Sequence, residues 1–214
     1  MSIFSHKLRF SGNTKGFTLV ELLAVISIIT VITLVMLLRQ SAFDNSTILR
    51  SLSYSVALSV RQAQVYGVAV VGSSTPTAVV YAPAYGLFFD RATPKSYVLF
   101  ADYNNNGVYD SATETVKVFS ITTGYAISEV CAKLTSATAI NRCTGTKDSS
   151  GVRTILTMSI LFRRPNPDAI IKTNRTAEAY VSAWIQVKSP AGAVRSVLVT
   201  GPGQITVQPP DTLP

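Results

Sequence analysis

Histidine is nearly missing from this chain of 214 residues: the only one is His6. Everything after it lacks the imidazole that serine and cysteine triads use as a general base and that many zinc sites use as a ligand. Acid is missing from residues 1–20, where Lys7, Arg9 and Lys15 supply all the charge. Between Phe17 and Leu38, a run of 22 residues, the only charge of either sign is Glu21. Glycine and proline are absent from Phe17 to Tyr66, so for 50 residues, about 75 Å as a helix, nothing in the sequence breaks a helix. Cysteine is limited to Cys131 and Cys143.

What is present begins with the apolar run itself. As a helix it reaches about 33 Å, enough to cross a bilayer core of about 30 Å. A carboxylate inside such a segment is expensive and calls for a partner or a function. The basic stretch ahead of the run keeps residues 1–16 on the cytoplasmic side and sends the remainder across. A cleaved secretory signal has an apolar region of about 7–15 residues followed by small residues, whereas this run is longer and continues into Arg39-Gln40-Ser41.

The basic leader followed by Gly16, Phe17, Thr18, Leu19, Val20 and Glu21 resembles the prepilin signature of type IV pilins and type II secretion pseudopilins. The resemblance implies cleavage between Gly16 and Phe17 by a membrane prepilin peptidase, N-methylation of the new Phe17 amine, and retention of the apolar segment. It further implies that Glu21 offsets the Phe17 amine of a neighbouring subunit as helices pack into a filament. Breaking such a buried pair leaves an uncompensated charge costing about 3–5 kcal/mol. On this reading the protein sits in the bacterial inner membrane as a single-pass precursor with its head exported, then enters an extracellular or periplasmic filament. An ordinary signal anchor with Glu21 reaching to the interface is the plainer alternative. Many major pilins carry a proline where Leu38 stands and a glycine near Thr30; their absence points toward a minor pilin or pseudopilin. The segments Tyr85–Asp90 and Tyr97–Asp102 loosely resemble the H-type heads of that subgroup.

The expected fold is α+β: a long N-terminal helix followed by an antiparallel β head. We read residues 1–16 as leader, 17–66 as helix (17–38 membrane-spanning, 39–66 amphipathic), 67–208 as head and 209–214 as tail. In the second half of the helix Leu49, Leu52, Val56, Val60 and Ala63 recur at three- and four-residue spacing and form a stripe for a sheet to cover. Gly67 is the expected helix stop, and Asp44 to Thr47 a place where the helix could bend. After Gly67 the chain turns to short β-branched and aromatic runs separated by Gly, Pro, Asn and Ser. The strands expected are 68–71, 77–82, 86–89, 97–101, 115–121, 155–162, 180–188, 194–200 and 204–207. Trp184 alternates with Ser182 and Gln186 and reads as a core anchor.

Asp102-Tyr103-Asn104-Asn105-Asn106-Gly107-Val108-Tyr109-Asp110 carries oxygen ligands at calcium-loop spacing: Asp102, Asn104, Asn106, the Val108 carbonyl and Asp110, with glycine at the sharp turn. Glu114 falls one place past the usual bidentate position. A hairpin turn closed by Asn and Gly without metal fits the same residues. Structural calcium is therefore one expectation and a bare turn the other; no cofactor is required by either. In an exported head, Cys131 and Cys143 are expected to form a disulfide.

Removing Lys7, Arg9 and Lys15 with the leader leaves 16 basic against 11 acidic residues, a net charge of +5. Arg163, Arg164, Lys172 and Arg175 gather around Pro165-Asn166-Pro167 and offer phosphate contacts, but no aromatic ring is interleaved for base stacking. A solvated loop is the plainer reading, and DNA binding the second. The function expected is therefore that of a non-enzymatic structural subunit. Its partners would be other pilin or pseudopilin subunits, the prepilin peptidase and the inner membrane, and its system would serve adhesion, motility, secretion or DNA uptake. A membrane-anchored enzyme finds no nucleophile motif, and an adhesin that does not polymerise is the other alternative.

Overall fold

A backbone without glycine or proline needs only a cap to start a long helix, and Thr18 provides it. The computed structural model describes residues 16–69, 72–74, 79–81, 83–110, 112–121, 124–135, 141–147 and 154–209. Helix α1 runs over Leu19–Val68. The Thr18 hydroxyl accepts the Glu21 amide at 3.2 Å, and the Thr18 carbonyl accepts the Leu22 amide at 3.1 Å. Thr18-Leu19-Val20-Glu21 is thus a capping-box sequence, with Thr18 at the cap and Glu21 three residues on. The leader residues 1–15 and the tail residues 210–214 lie outside the described residues.

The chain divides into two compact units, Met1–Ser41 and Ala42–Pro214. In the first, Leu19–Leu37 is a stretch of 19 residues with a mean hydropathy of 2.7 and none of it buried by protein. Its hydroxyls beyond the first turn are satisfied inside the helix: the Ser27 hydroxyl donates to Ala24 O, Thr30 to Ile26 O and Thr33 to Ile29 O. That is the condition for placing hydroxyls in hydrocarbon.

In the second unit the rest of α1 lies in the core of an all-antiparallel β head. After the short strands β1 (Gly72–Ser74) and β2 (Val79–Tyr81) come β3 (Ala84–Asp90), β4 (Ser96–Asp102), a 3₁₀ turn (Ala112–Glu114), β5 (Thr115–Ser120), β6 (Ala126–Leu134) and β7 (Asn141–Cys143). The chain continues with β8 (Thr157–Arg163), β9 (Asn166–Thr173), β10 (Tyr180–Lys188), β11 (Val194–Thr200) and β12 (Ile205–Gln208). One sheet has the order β5-β4-β3-β8-β9, the second β12-β11-β10-β6-β7, and β1 and β2 form a third sheet of their own. Inward side chains of both large sheets, such as Leu87, Phe89, Leu99, Ile160, Phe162, Ile185 and Val199, close on the helix stripe. Leu49, Val56, Val60 and Ala63 are buried there and Leu52 packs against them, as their spacing predicts.

The helix stripe is wider than its apolar residues alone. Ser53 and Ser59 are also buried. Each bonds back along the helix, Ser53 to Leu49 O and Ser59 to Ser55 O, and Ser59 meets the Tyr97 hydroxyl at 3.0 Å. Tyr97 stacks between Phe89 and Phe119, with ring centroids 5.5 and 4.9 Å away. Satisfying both hydroxyls in the core fixes how the helix sits on the sheet, since an unpaired buried hydroxyl costs about 1–3 kcal/mol.

Three expectations need correction. Val68 is helical, so the strand expected over 68–71 does not begin there, and residues 70–71 lie outside the described residues. Gly67 is the second-last residue of the helix rather than a left-handed cap beyond it. Its role is proximity: a Cβ on Gly67 would stand 2.2 Å from the Phe162 carbonyl oxygen. Asp44 to Thr47 show no break in α1; the Tyr125 hydroxyl instead bonds Asn45, at 3.1 Å to its Oδ1.

Candidate functional site

The N-terminal segment carries the residues with the clearest functional sense. Gly16 and Phe17 precede the helix in non-helical backbone, and the cap at Thr18 starts the helix just beyond. Phe17 and Glu21 are both exposed. Glu21 stands in the first turn, where a carboxylate also complements the partial positive charge of the helix N-terminus. Thr18 is the residue that sequence reasoning passed over, and the Thr-x-x-Glu spacing ahead of an apolar run was the signal for it.

The Asp102–Asp110 loop joins β4 to β5, which pair as a hairpin from Ser96↔Ser120 to Phe100↔Thr115. Asp102 is buried, with its two oxygens accepting the Asn106 amide at 3.1 Å and the Gly107 amide at 2.9 Å. Asn104 Nδ2 and Asn106 Nδ2 both donate to Asp110 Oδ2, at 2.7 and 2.6 Å. Glu114 folds back to accept the Asp110 amide at 3.0 Å and the Val108 amide goes to Asn106 Oδ1 at 2.8 Å. Asn105 and Gly107 take positive φ, 63° and 81°, which is what the tight turns demand of Asn and Gly.

Only 4 % of Glu114 is exposed. Its burial raises the carboxyl above the usual range, the charges of Asp110 and Asp102 add to that, and the Asp110 amide opposes it. The donors are hard oxygens of the kind calcium takes, yet the Asn oxygens are turned to backbone amides. Among the described residues the one triad of ligand-type side chains within 4.8 Å is Glu129, Cys131 and Cys143, so the three loop carboxylates are not drawn together.

Cys131 and Cys143 are bonded to each other and sit directly opposite on β6 and β7. They pack with Trp184 of β10, which lies opposite Cys131 of β6. Trp184 is therefore a packing residue beside the disulfide.

The four basic residues do not form one patch. Arg163 bonds Asn105 Oδ1, and Arg163 and Lys172 line a cavity of about 240 Å³ together with Asp102 and Gly107. Arg175 lies past the other end of β9, donates Nε–H to the Thr154 carbonyl and stands 3.9 Å from Glu178, which is bridged to Arg142 at 3.0 Å. Arg164 leads the turn between β8 and β9 and is half-buried.

Residues 12–37 match the family model described as the prokaryotic N-terminal methylation motif. No curated protein and no solved structure gives a significant match to the chain. The match is to a structural rather than an enzymatic motif, and with the exposed apolar stretch Leu19–Leu37 that it contains, it points to membrane anchoring and export. The N-terminal segment of this chain is therefore a type IV prepilin-like class III signal peptide.

Proposed function

We propose that the chain is a pilin-type structural subunit: cleaved after Gly16, N-methylated on Phe17, and assembled with other pilin or pseudopilin subunits into a filament, with no catalysis of its own. The observation that carries this reading is the methylation motif over residues 12–37, which contains the 19-residue hydropathic stretch Leu19–Leu37 that none of the described protein buries. A solitary helix of that kind is stable in lipid or among other helices, and in a filament its partners are neighbouring copies. Glu21 then meets the Phe17 amine of a neighbour. Methylation keeps the charge of the amine, so the pair survives modification. Glu21→Ala is expected to leave cleavage after Gly16 intact and to abolish incorporation into sheared filaments, read by mass spectrometry of the processed N-terminus and immunoblot of the filament fraction. Normal incorporation of that variant would reduce Glu21 to its place in the helix cap.

A second reading concerns the Asp102–Asp110 loop. Asp102, Asn104, Asn106, Asp110 and Glu114 place hard oxygens on one loop at calcium-loop spacing, which supports a weak calcium site that would draw its carboxylates together. Arg163 and Lys172 nearby limit its affinity to the submillimolar range of extracellular modules. Millimolar calcium should raise the melting temperature of the protein, and Asp102→Ala should erase the rise; no shift in the unmutated protein would remove calcium from the account. For DNA, the separation of Arg175 from Arg163 leaves too few free cations in one place for us to propose it.

A further inference from the structure

The two large sheets of the head have four edges, and three are closed. β7 has three residues and is bonded to β6 through the disulfide. β9 carries Pro167, which has no amide hydrogen, and its Ala169 amide is already donated to Gly201 O at 2.8 Å. β12 has four residues and runs into Pro209. Such devices keep sheet edges from pairing with other chains.

β5 is guarded by neither a proline nor a disulfide. It spans six residues without proline, and Val116 and Val118 are 42 % and 55 % exposed. Lys117, the charge that would guard such an edge, has its Nζ 4.8 Å over the Phe119 ring, on the face away from Val118. A bulge at Val116 leaves Lys117–Ser120 in regular register with Ser96–Leu99. Val118 lies opposite Val98, which packs on the small outer cluster of Ala84, Phe100 and Leu161.

The complementary feature is the ribbon β1–β2. Its strands, Gly72–Ser74 and Val79–Tyr81, pair with each other and with no third strand among the described residues. A two-stranded ribbon is marginally stable in water and gains most from a third strand. No charged residue occurs from Gln62 to Phe89, so no charge within the ribbon repels an approaching strand.

We infer that the β1–β2 ribbon of one copy adds to the β5 edge of another, extending the sheet β5-β4-β3-β8-β9 by two strands. Backbone amides and carbonyls give the affinity, and Val118 with Val98 gives the apolar face. The three-residue ribbon strands fit within the four-residue regular part of β5. Donor and acceptor are different surfaces, so the contact is head-to-tail and repeats from copy to copy, as a ring or an open chain. The inference rests on the assembly reading above for its setting, though not on how the N-terminus is processed.

The test uses full-length chains bearing two different tags, co-expressed in the membrane, one with Val80→Cys and the other with Val118→Cys; Cys131 and Cys143 stay bonded to each other. A mixed disulfide between the two tags, about tenfold above either variant expressed alone, is expected. Val118→Lys should cut incorporation into filaments about tenfold with the melting temperature of the head unchanged, while Val118→Thr should not. Filaments that contain the chain but give no mixed cross-link would overturn the ribbon-to-edge contact and leave the assembly reading standing. Cross-links among Val118→Cys copies alone would overturn it in favour of a symmetric β5 pairing. A mixed cross-link from a chain never found in filaments would uphold the contact and sink the filament reading instead.

Discussion

Gly67 shows how one residue can be read correctly as special and wrongly as to why. Its place after a periodic apolar stripe suggests a cap, but the helix runs on through Val68 and what it provides is the missing Cβ, 2.2 Å from where Phe162 O stands. Gly67→Ala would have to push the helix off β8. It should destabilise the head by about 3 kcal/mol, the upper range for overpacking. An unchanged melting temperature would show that the close approach has no energetic weight. Glu114 makes a second prediction at this scale. Because its folded-state carboxyl is raised, chiefly by burial, the folded protein holds that proton more tightly than the unfolded chain. The stability tied to it is whole below the ordinary glutamate range and is lost as pH rises through the raised value. Glu114→Gln keeps an oxygen for the Asp110 amide and removes the titration, so its melting temperature should exceed that of the unmodified protein at pH 7 and not at pH 4. Equal melting temperatures at pH 7 would contradict the sign.

At the scale of elements, legibility followed periodicity. β10 and β11 could be bounded to the residue because both are rich in β-branched and aromatic residues, with Ala183, Ile185 and Val187 at every second place in Tyr180–Lys188 and Val197 and Val199 in Val194–Thr200. β6 was missed for a physical reason. A bulge against β10 shifts its register between Ile127 and Glu129, so the inward residues Ile127, Val130 and Ala132 do not keep a period of two. β9 was missed because Asn166 and Pro167 read as a loop, while its inward Ala169 and Ile171 come later. The disulfide adds to the contacts of β7, a strand of three residues that also has the Arg142–Glu178 ion pair and the Thr154 hydroxyl bonded to Cys143. Cys131→Ser with Cys143→Ser opens an eleven-residue loop and should cost about 3 kcal/mol, or roughly 6–12 °C in a domain of this size. Guanidinium unfolding of the double variant would measure it, and a loss well under 1 kcal/mol would mean that β7 is held by other contacts.

For the whole molecule, the division into Met1–Ser41 and Ala42–Pro214 separates two kinds of information. Glu21→Ala belongs to the first, so it should stop incorporation while the melting of the second stays as in the unmodified protein; a lowered melting temperature would mean that Glu21 supports the head. The sequence by itself determined the first unit: helix length, apolar span and methylation motif are all local, and local patterns need no partner to be read. It also determined that the second unit is an antiparallel β head packed on the helix stripe. Only the tertiary structure decided which strands are edges, that Ser53 and Ser59 lie in the core, that Arg175 is drawn away from Arg163, and that β5 is left open. Those facts depend on which distant segments meet, and a pairing between residues far apart in the chain leaves no period in either one.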